Sequence, residues 1–200
     1  MRIFLAGAAG AIGRRLSPLL VADGHTVMGT TRSAEKAAWL RATGIEPIVV
    51  DVYDAAALRR AVVEAQPDVV MHQLTDLPRR YSHEAIAAAL PRNARIRDEG
   101  TRHLVAAAQA AGATRFIAQS IAFRISPALE AFEAQILTAP MDGIVLRYGQ
   151  FYGPGTWVST PPSEPPVVHV DAAARAACAA VRDLEPGLYV VTDDGIAPQV

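Results

Sequence analysis

The chain has 200 residues and a formal net charge of −1, and 51% of its residues are hydrophobic and 20% charged. These values predict one globular domain and give no reason to expect a nucleic-acid or anionic-membrane partner. The single cysteine, Cys178, excludes an internal disulfide, and no His, Asp or Glu cluster has metal-ligand spacing. No apolar run is long enough to span a membrane and no basic leader precedes the first strand, so we expect a cytoplasmic protein.

Short apolar runs alternate with helical patterns along the first three quarters of the chain. The apolar runs predict strands at residues 2–6, 25–30, 45–50, 67–72, 115–119 and 143–146. Helical spacing and capping residues predict helices at 14–22, 33–43, 54–65 and 127–139. A further helical pattern over 84–112 is interrupted by Pro91, so we expect a break there and a longer part from about Asn93 to Ala111.

This alternation is typical of an α/β fold with a doubly wound parallel sheet. The almost continuous apolar run at 45–50 predicts a strand that is covered on both faces. The last third has glycine- and proline-rich loops at 153–155 and 160–166, followed by a strand, a helix and a final strand at 167–170, 171–182 and 187–192. We therefore expect a dinucleotide-binding region over 1–150 and a small C-terminal extension, 151–200, that completes the substrate side of the same domain.

Three glycines separate the first strand from the first helix. Gly7, Gly10 and Gly13 allow a tight turn and the close approach of a pyrophosphate, which the free N–H groups and the helix dipole attract. An Ala/Gly-rich loop without a ligand is the alternative interpretation, but the strand-helix context favours a phosphate cradle. The residues predicted to line it are Gly7, Gly10, Ala11, Ile12, Gly13 and Arg14.

The residues after the second strand indicate which dinucleotide binds. NAD sites place an acid about 20 residues beyond the glycines to accept a hydrogen bond from the ribose 2′-OH, but residues 30–33 read Thr-Thr-Arg-Ser. Arg32 can instead pair with a 2′-phosphate, with Arg14 and Lys36 near enough to add charge. The sequence therefore predicts NADP(H), although the three cations can also be ordinary solvated surface residues.

Several segments resemble the extended or atypical short-chain dehydrogenase/reductase superfamily, which contains the NAD-dependent epimerase/dehydratase proteins. GTRHLVAAA at 100–108 is similar to the GTxNLLxAA helix of that group, and RFIAQS at 115–120 to its fifth strand. LRYGQFYGPG at 146–155 is similar to its LRxxxxYGPG segment, and VHVD at 168–171 to its HVDD segment. The resemblance implies a Rossmann-like fold in which Asp51 and Val52 border the adenine and His72, Gln73 and Leu74 run beside the nicotinamide ribose.

The family's proton-transfer pair is missing. Its members use a tyrosine and a lysine four residues later, whereas Lys36 is the only lysine here and lies in the second helix. When the helix containing Glu133 is matched to the family's helix, the tyrosine position falls on Ile125 and the lysine position on Leu129. The segment between Ser120 and Glu133 is also short, which indicates a reduced substrate pocket.

Few residues remain as candidates for catalysis. Ser120, at the carboxyl end of a strand, can bond a substrate carbonyl, contact the nicotinamide or cap a helix. Tyr148 can supply an acid or a pocket wall, or simply pack beside the last strand. His72 can be a proton carrier or a structural histidine.

Three functions follow from these residues. The first is an NADP-dependent oxidoreductase or epimerase that acts on a small polar or carbonyl substrate with non-standard acid/base residues. The second is a non-catalytic NADP(H)-binding or sensing module, and the third is a redox-neutral cyclase or isomerase in the same pocket. The alanine-rich helices at 93–111 and 127–139 are compatible with a homodimer or with packing onto the sheet.

Overall fold

The computed structural model describes residues 1–78 and 80–199. Eight strands form one sheet in the order β10-β9-β6-β5-β4-β1-β2-β3, parallel except for β10. These strands are β1 (Arg2–Ala6), β2 (Thr26–Thr31), β3 (Glu46–Val49), β4 (Val69–His72), β5 (Arg115–Ile121), β6 (Asp142–Tyr148), β9 (Gly187–Thr192) and β10 (Gly195–Pro198). β7 (Gln150–Tyr152) and β8 (Val167–His169) form a separate parallel pair. The strand order confirms the Rossmann-like doubly wound sheet.

Seven α-helices lie in the described part of the chain. They are α1 (Gly13–Ala22), α2 (Ala34–Ala42), α3 (Ala55–Ala65), α4 (His83–Arg95), α5 (Thr101–Ala110), α6 (Pro127–Leu137) and α7 (Val170–Ala179). Helices α1 and α7 bury one face of the sheet, and α3, α5 and α6 bury the other. No helix among the described residues has both the length and the apolar character needed to cross a membrane.

Local sequence signals explain where four helices begin. Ser33, Asp54, Ser82 and Ser126 each accept a hydrogen bond from the backbone N–H three residues further on, at 3.4, 2.9, 3.0 and 3.3 Å. Each bond satisfies a donor that the first turn of a helix leaves free. Residues 33 and 54 are the caps that the sequence predicted for α2 and α3.

The break expected at Pro91 is wrong, because α4 continues through this proline. Pro91 and Ala87, whose carbonyl loses its helical partner, both face solvent, where water can satisfy that carbonyl. The helix changes instead at Ile96–Gly100, a π-helical turn between α4 and α5. Gly100, the last residue of this turn, is buried beside Val52.

The expectation that the third strand is covered on both faces is also wrong. β3 is the edge strand of the sheet, and Val49 is 60% exposed. Its position beyond β2 leaves it with one neighbouring strand, and both of its end residues, Glu46 and Val49, are exposed. At the other edge, β9 pairs with β6 and β10 closes an antiparallel hairpin, so residues after 186 extend the main sheet.

Candidate functional site

The glycine loop has the geometry of a phosphate cradle. Gly7 has a φ of +95°, and a Cβ there would lie 2.7 Å from the carbonyl oxygen of Gln73. A Cβ on Gly13 would collide with the carbonyl of Gly7, so both positions require glycine. The N–H groups of Ala11 and Ile12 have no acceptor among the described residues, and α1 begins directly after them without a side-chain cap. These donors fit a pyrophosphate.

Basic side chains flank the end of β2. Arg32 is exposed and makes no ion pair or hydrogen bond with any described residue, and Lys36 is half-buried. The Nε of Arg14 donates to the carbonyl of Ala9 at 3.1 Å, and its guanidinium lies 4.6 Å from the ring centroid of Trp39. No acid lies where β2 ends, which leaves Arg32 as the charged group at this position.

The end of β3 leads into a surface suited to a flat ring. The Asp51 carboxylate is exposed and accepts a hydrogen bond from the N–H of Tyr53 at 3.0 Å. Val52 is buried, and its carbonyl oxygen lies 2.9 Å from Nδ1 of His103. The Arg95 guanidinium lies 4.0 Å over the ring of Tyr53. No local sequence signal marks this arginine-tyrosine pair, because its members are far apart along the chain.

His72 has both ring nitrogens engaged inside the protein. Its Nδ1 accepts from the N–H of Leu74 at 3.2 Å, so the proton lies on Nε2, which is 3.1 Å from Oγ1 of Thr101. Burial, followed by the positive charge of Arg97, lowers the pKa of His72 to about 4. A neutral imidazole with two internal partners favours the structural role over that of a proton carrier.

Gln73 holds the turn after β4 against the glycine loop. Its N–H donates to the carbonyl of Ala6 at 2.8 Å, and its carbonyl oxygen lies 2.7 Å from the position that a Cβ on Gly7 would take. The side-chain amide of Gln73 is buried, and neither its oxygen nor its nitrogen has a hydrogen-bond partner among the described residues. The turn that was predicted to run beside the nicotinamide ribose is therefore in contact with the phosphate cradle.

Ser120 belongs to a buried network rather than to an open crevice. Its Oγ donates to Oε1 of Glu133 at 2.5 Å, and Arg147 binds the same carboxylate through Nε at 2.8 Å and a second nitrogen at 2.5 Å. Arg147 also donates to the side-chain oxygen of Gln199 at 2.9 Å. Alternate residues of β5 point towards α6, which directs the Ser120 hydroxyl to Glu133. Of the three roles that the sequence left open for Ser120, this hydrogen bond disfavours a contact with a substrate carbonyl.

Tyr148 is completely buried, and its hydroxyl has no partner among the described residues. Its ring packs 5.4 Å from that of Phe151, and burial raises the pKa of the phenol. The structure therefore favours packing over acid catalysis for Tyr148. At the two positions matched to the family's tyrosine and lysine, Ile125 is 42% exposed and Leu129 is packed in the core.

Arg15 joins the C-terminal extension to the glycine loop. Its Nε lies 2.5 Å from a carboxylate oxygen of Asp171, the first-turn acid of α7. Its other nitrogens donate to the carbonyls of Ala11, at 3.0 Å, and of Pro154. One side chain thus fixes the loop after β7 and the start of α7 beside the phosphate cradle.

Sequence reasoning missed three charged residues near the ends of β4 and β5. Glu133 and Arg147 form the buried pair described above, and Arg97 is half-buried in the π-helical turn. An acid on the apolar face of α6, between Phe132 and Ile136, was the available signal for the first pair. The described residues contain no group of three or more His, Cys, Asp or Glu side chains placed to hold a metal ion.

The fold and the glycine loop define a dinucleotide-binding protein of the short-chain dehydrogenase/reductase type. A family model described as NAD(P)H-binding matches residues 7–138. The chain is 36% identical to the 3-diazoavenalumate denitrifying reductase of a Streptomyces species, over 99% of this chain and 78% of the relative. The protein therefore belongs to the NAD(P)H-binding family, which confirms the superfamily resemblance.

Solved structures show the same fold at low sequence identity. WbmH of Bordetella bronchiseptica, in complex with NAD+, gives a TM-score of 0.75 at 19% identity and covers 98% of this chain and 77% of its own. The UDP-glucose 4-epimerase of Thermus thermophilus, in complex with NAD, gives 0.76 at 21% identity and covers 99% and 79%. At this level of identity these structures show the Rossmann-like fold alone, and they do not distinguish NADP from NAD.

Proposed function

We propose that the protein is an NADPH-dependent reductase that delivers hydride to an electrophile requiring no proton from the protein. The observation that carries the proposal is Arg32, a cation without a partner among the described residues at the position where an NAD site has an acid. Its guanidinium can bind the 2′-phosphate through two parallel hydrogen bonds, and Arg14 is held nearby by Ala9 and Trp39. The glycine loop and the free N–H groups of Ala11 and Ile12 suit the pyrophosphate.

Neither catalytic candidate, Ser120 or Tyr148, is placed to give a proton to a substrate, and this restricts the class of substrate that the protein can reduce. Reduction of a carbonyl produces an alkoxide, which must be protonated, yet Ser120 is bound to Glu133 and the Tyr148 hydroxyl is sealed in the core. Replacement of dinitrogen at a diazonium-bearing carbon needs no proton. The hydride electron pair becomes the new C–H bond, and the electrons of the broken C–N bond leave with N2. When bound, reduced nicotinamide supplies this hydride.

The Streptomyces relative is named for such a substrate, as a 3-diazoavenalumate denitrifying reductase. Its alignment extends over 242 positions, so at least 42 of them face gaps in this chain of 200 residues. From the name of this relative and the absence of a proton donor among the candidates, we infer that arenediazonium compounds, whose reduction by hydride needs no proton, are the substrate class of this protein.

Calorimetric titration with NADPH, NADP+, NADH and NAD+ tests the cofactor. We expect Arg32→Ala to weaken NADPH binding by about tenfold to a hundredfold, because a charged hydrogen bond contributes about 1.5–3 kcal/mol, and to leave NADH binding unchanged. The matched control is Arg59→Ala, which removes an exposed arginine from α3. An equal loss for NADPH and NADH would contradict the assignment of Arg32 to the 2′-phosphate.

Turnover is then tested with benzenediazonium and benzaldehyde as matched electrophiles. We expect protein-dependent oxidation of NADPH with benzenediazonium, above the rate without protein, and none with benzaldehyde. The second candidate is a non-catalytic NADP(H)-binding module, favoured by the closed Ser120–Glu133 contact. NADPH binding without reduction of either electrophile would support that module and overturn the reductase.

A further inference from the structure

Arg97 differs from every other arginine that is shielded from solvent in the described chain. Four arginines are buried or half-buried, namely Arg15, Arg97, Arg115 and Arg147. Three of them pair with a carboxylate, those of Asp171, Asp142 and Glu133. Arg97 makes no ion pair or hydrogen bond with any described residue. Its guanidinium carbon lies 5.9 Å from the ring centroid of Phe132.

The acids close to Arg97 are all committed to other cations. Glu133 attracts Arg97 but is bound by Arg147 at 2.5 Å. Within the π-helical turn itself, Asp98 pairs with Arg102 at 3.4 Å and Glu99 pairs with Arg95 at 2.6 Å. The positive charge on Arg97 is therefore not balanced within the described part of the protein.

His72, the titratable group at the end of β4 near Arg97, is neutral and does not balance the charge of Arg97. Arg97 contributes to the lowered pKa of His72, which shows that its field reaches the end of β4, while burial lowers the pKa of Arg97 itself. With His72 neutral, the two arginines 97 and 147 face the single carboxylate of Glu133, which leaves one positive charge. Removing a guanidinium from water without a partner is costly, so an anion at this position would be stabilised.

The position of Arg97 indicates which anion this is. His72 and Ser120 end the neighbouring strands β4 and β5, and Arg97 lies over α6 beside these ends, whereas Arg32 lies beyond β2. The 2′-phosphate and pyrophosphate sites are thus on the other side of β4. We propose that Arg97 binds a carboxylate of the substrate at the solvent-facing side of its guanidinium, whose other side faces the buried Phe132 ring. This inference rests on the proposed dinucleotide site, which defines the hydride-transfer end of the sheet.

The arginine fork suits a carboxylate because two N–H groups can meet its two oxygens. Arg97 lies in the π-helical turn four residues before Thr101, and side chains four residues apart lie on the same face of a helix. Thr101 can then stay bonded to His72 while Arg97 faces Phe132.

Matched pairs of a carboxylate and its neutral amide test this proposal. The probes are benzoate against benzamide and acetate against acetamide, titrated by calorimetry into the protein with and without saturating NADP+. For at least one pair we expect the carboxylate to bind at least about tenfold more tightly than the amide. Arg97→Gln removes this preference, and Arg97→Lys retains part of it. Arg102→Gln, on the surface of α5, leaves it unchanged.

Thermal unfolding and NADPH titration of Arg97→Gln establish that this variant is folded. The proposal is overturned when neither pair shows a carboxylate preference, or when the preference survives in Arg97→Gln. A preference that depends on Arg97 in a protein that binds no dinucleotide would uphold the carboxylate site and overturn the proposed cofactor. Dinucleotide binding without a carboxylate preference would uphold the proposed cofactor and overturn the carboxylate site.

Discussion

The two ends of the sheet's carboxyl edge use their polar groups in opposite ways. At the glycine loop, the N–H groups of Ala11 and Ile12 and the guanidinium of Arg32 have no partner among the described residues. Near the carboxyl ends of β5 and β6, Ser120 and Arg147 both bind Glu133 and are buried. The first end is arranged to bind a ligand and the second to stabilise the fold. The comparison indicates why dinucleotide binding and proton transfer are separable in this scaffold.

The largest expected effect comes from opening the buried network. Glu133→Ala leaves the Arg147 guanidinium buried without its carboxylate and should lower the free energy of unfolding by about 3–5 kcal/mol, measured by urea denaturation. Glu130→Ala, at an exposed position on the same helix, should change it by less than about 0.5 kcal/mol. Similar losses in both variants would mean that the network does not stabilise this end.

His72 is buried at the end of β4, between the glycine loop and the Ser120 network. It gives a pH-dependent change of similar size in the free energy of unfolding. The pKa of His72 is about 4 in the folded protein and about 6.5 when unfolded, so the unfolded chain takes up the proton first as the pH falls. The stability that neutral His72 provides is complete above about pH 6.5 and is lost as the pH falls towards 4, by about 3 kcal/mol.

Denaturation at a series of pH values measures this effect. His72→Asn should flatten the dependence of unfolding free energy on pH between 6.5 and 4, although the variant is less stable throughout. His83→Asn, which alters an exposed histidine in α4, should keep the dependence of the unchanged protein. A curve for His72→Asn as steep as that of the unchanged protein would show that another group titrates.

The end of the sheet that carries the glycine loop and Arg32 could be predicted from the sequence because its signals are local. Gly7 has a positive φ and Gly13 lies against the carbonyl of Gly7 within the same loop, and Ser33 and Asp54 cap helices that begin at the next residue. Arg32 follows its strand directly, so its position at the end of β2 needed no knowledge of distant contacts.

The end of the sheet with the buried Ser120–Glu133–Arg147 network, here called the closed end, could not be predicted because its contacts join three separate elements. Ser120, Glu133 and Arg147 come from β5, α6 and β6, and each residue alone resembles an ordinary surface or pocket residue. The π-helical turn has no local sequence signature either, and the sequence predicted the break at Pro91 instead. Arg97 therefore entered neither the predicted site nor the predicted core.

The smallest expected effect concerns Tyr148, and it distinguishes a sealed hydroxyl from a catalytic one. An unpaired buried hydroxyl costs about 1–3 kcal/mol, so Tyr148→Phe should leave the free energy of unfolding unchanged or raise it by about 1 kcal/mol. A proton donor typically contributes a factor of about 10²–10⁴ to a reaction rate. NADPH-dependent reduction of benzenediazonium should nevertheless be unaffected, because the phenol pKa is raised by burial and the proposed reaction needs no proton. A hundredfold lower rate in a variant of unchanged stability would show that Tyr148 is a catalytic proton donor. The buried region around its hydroxyl would then have to open during turnover.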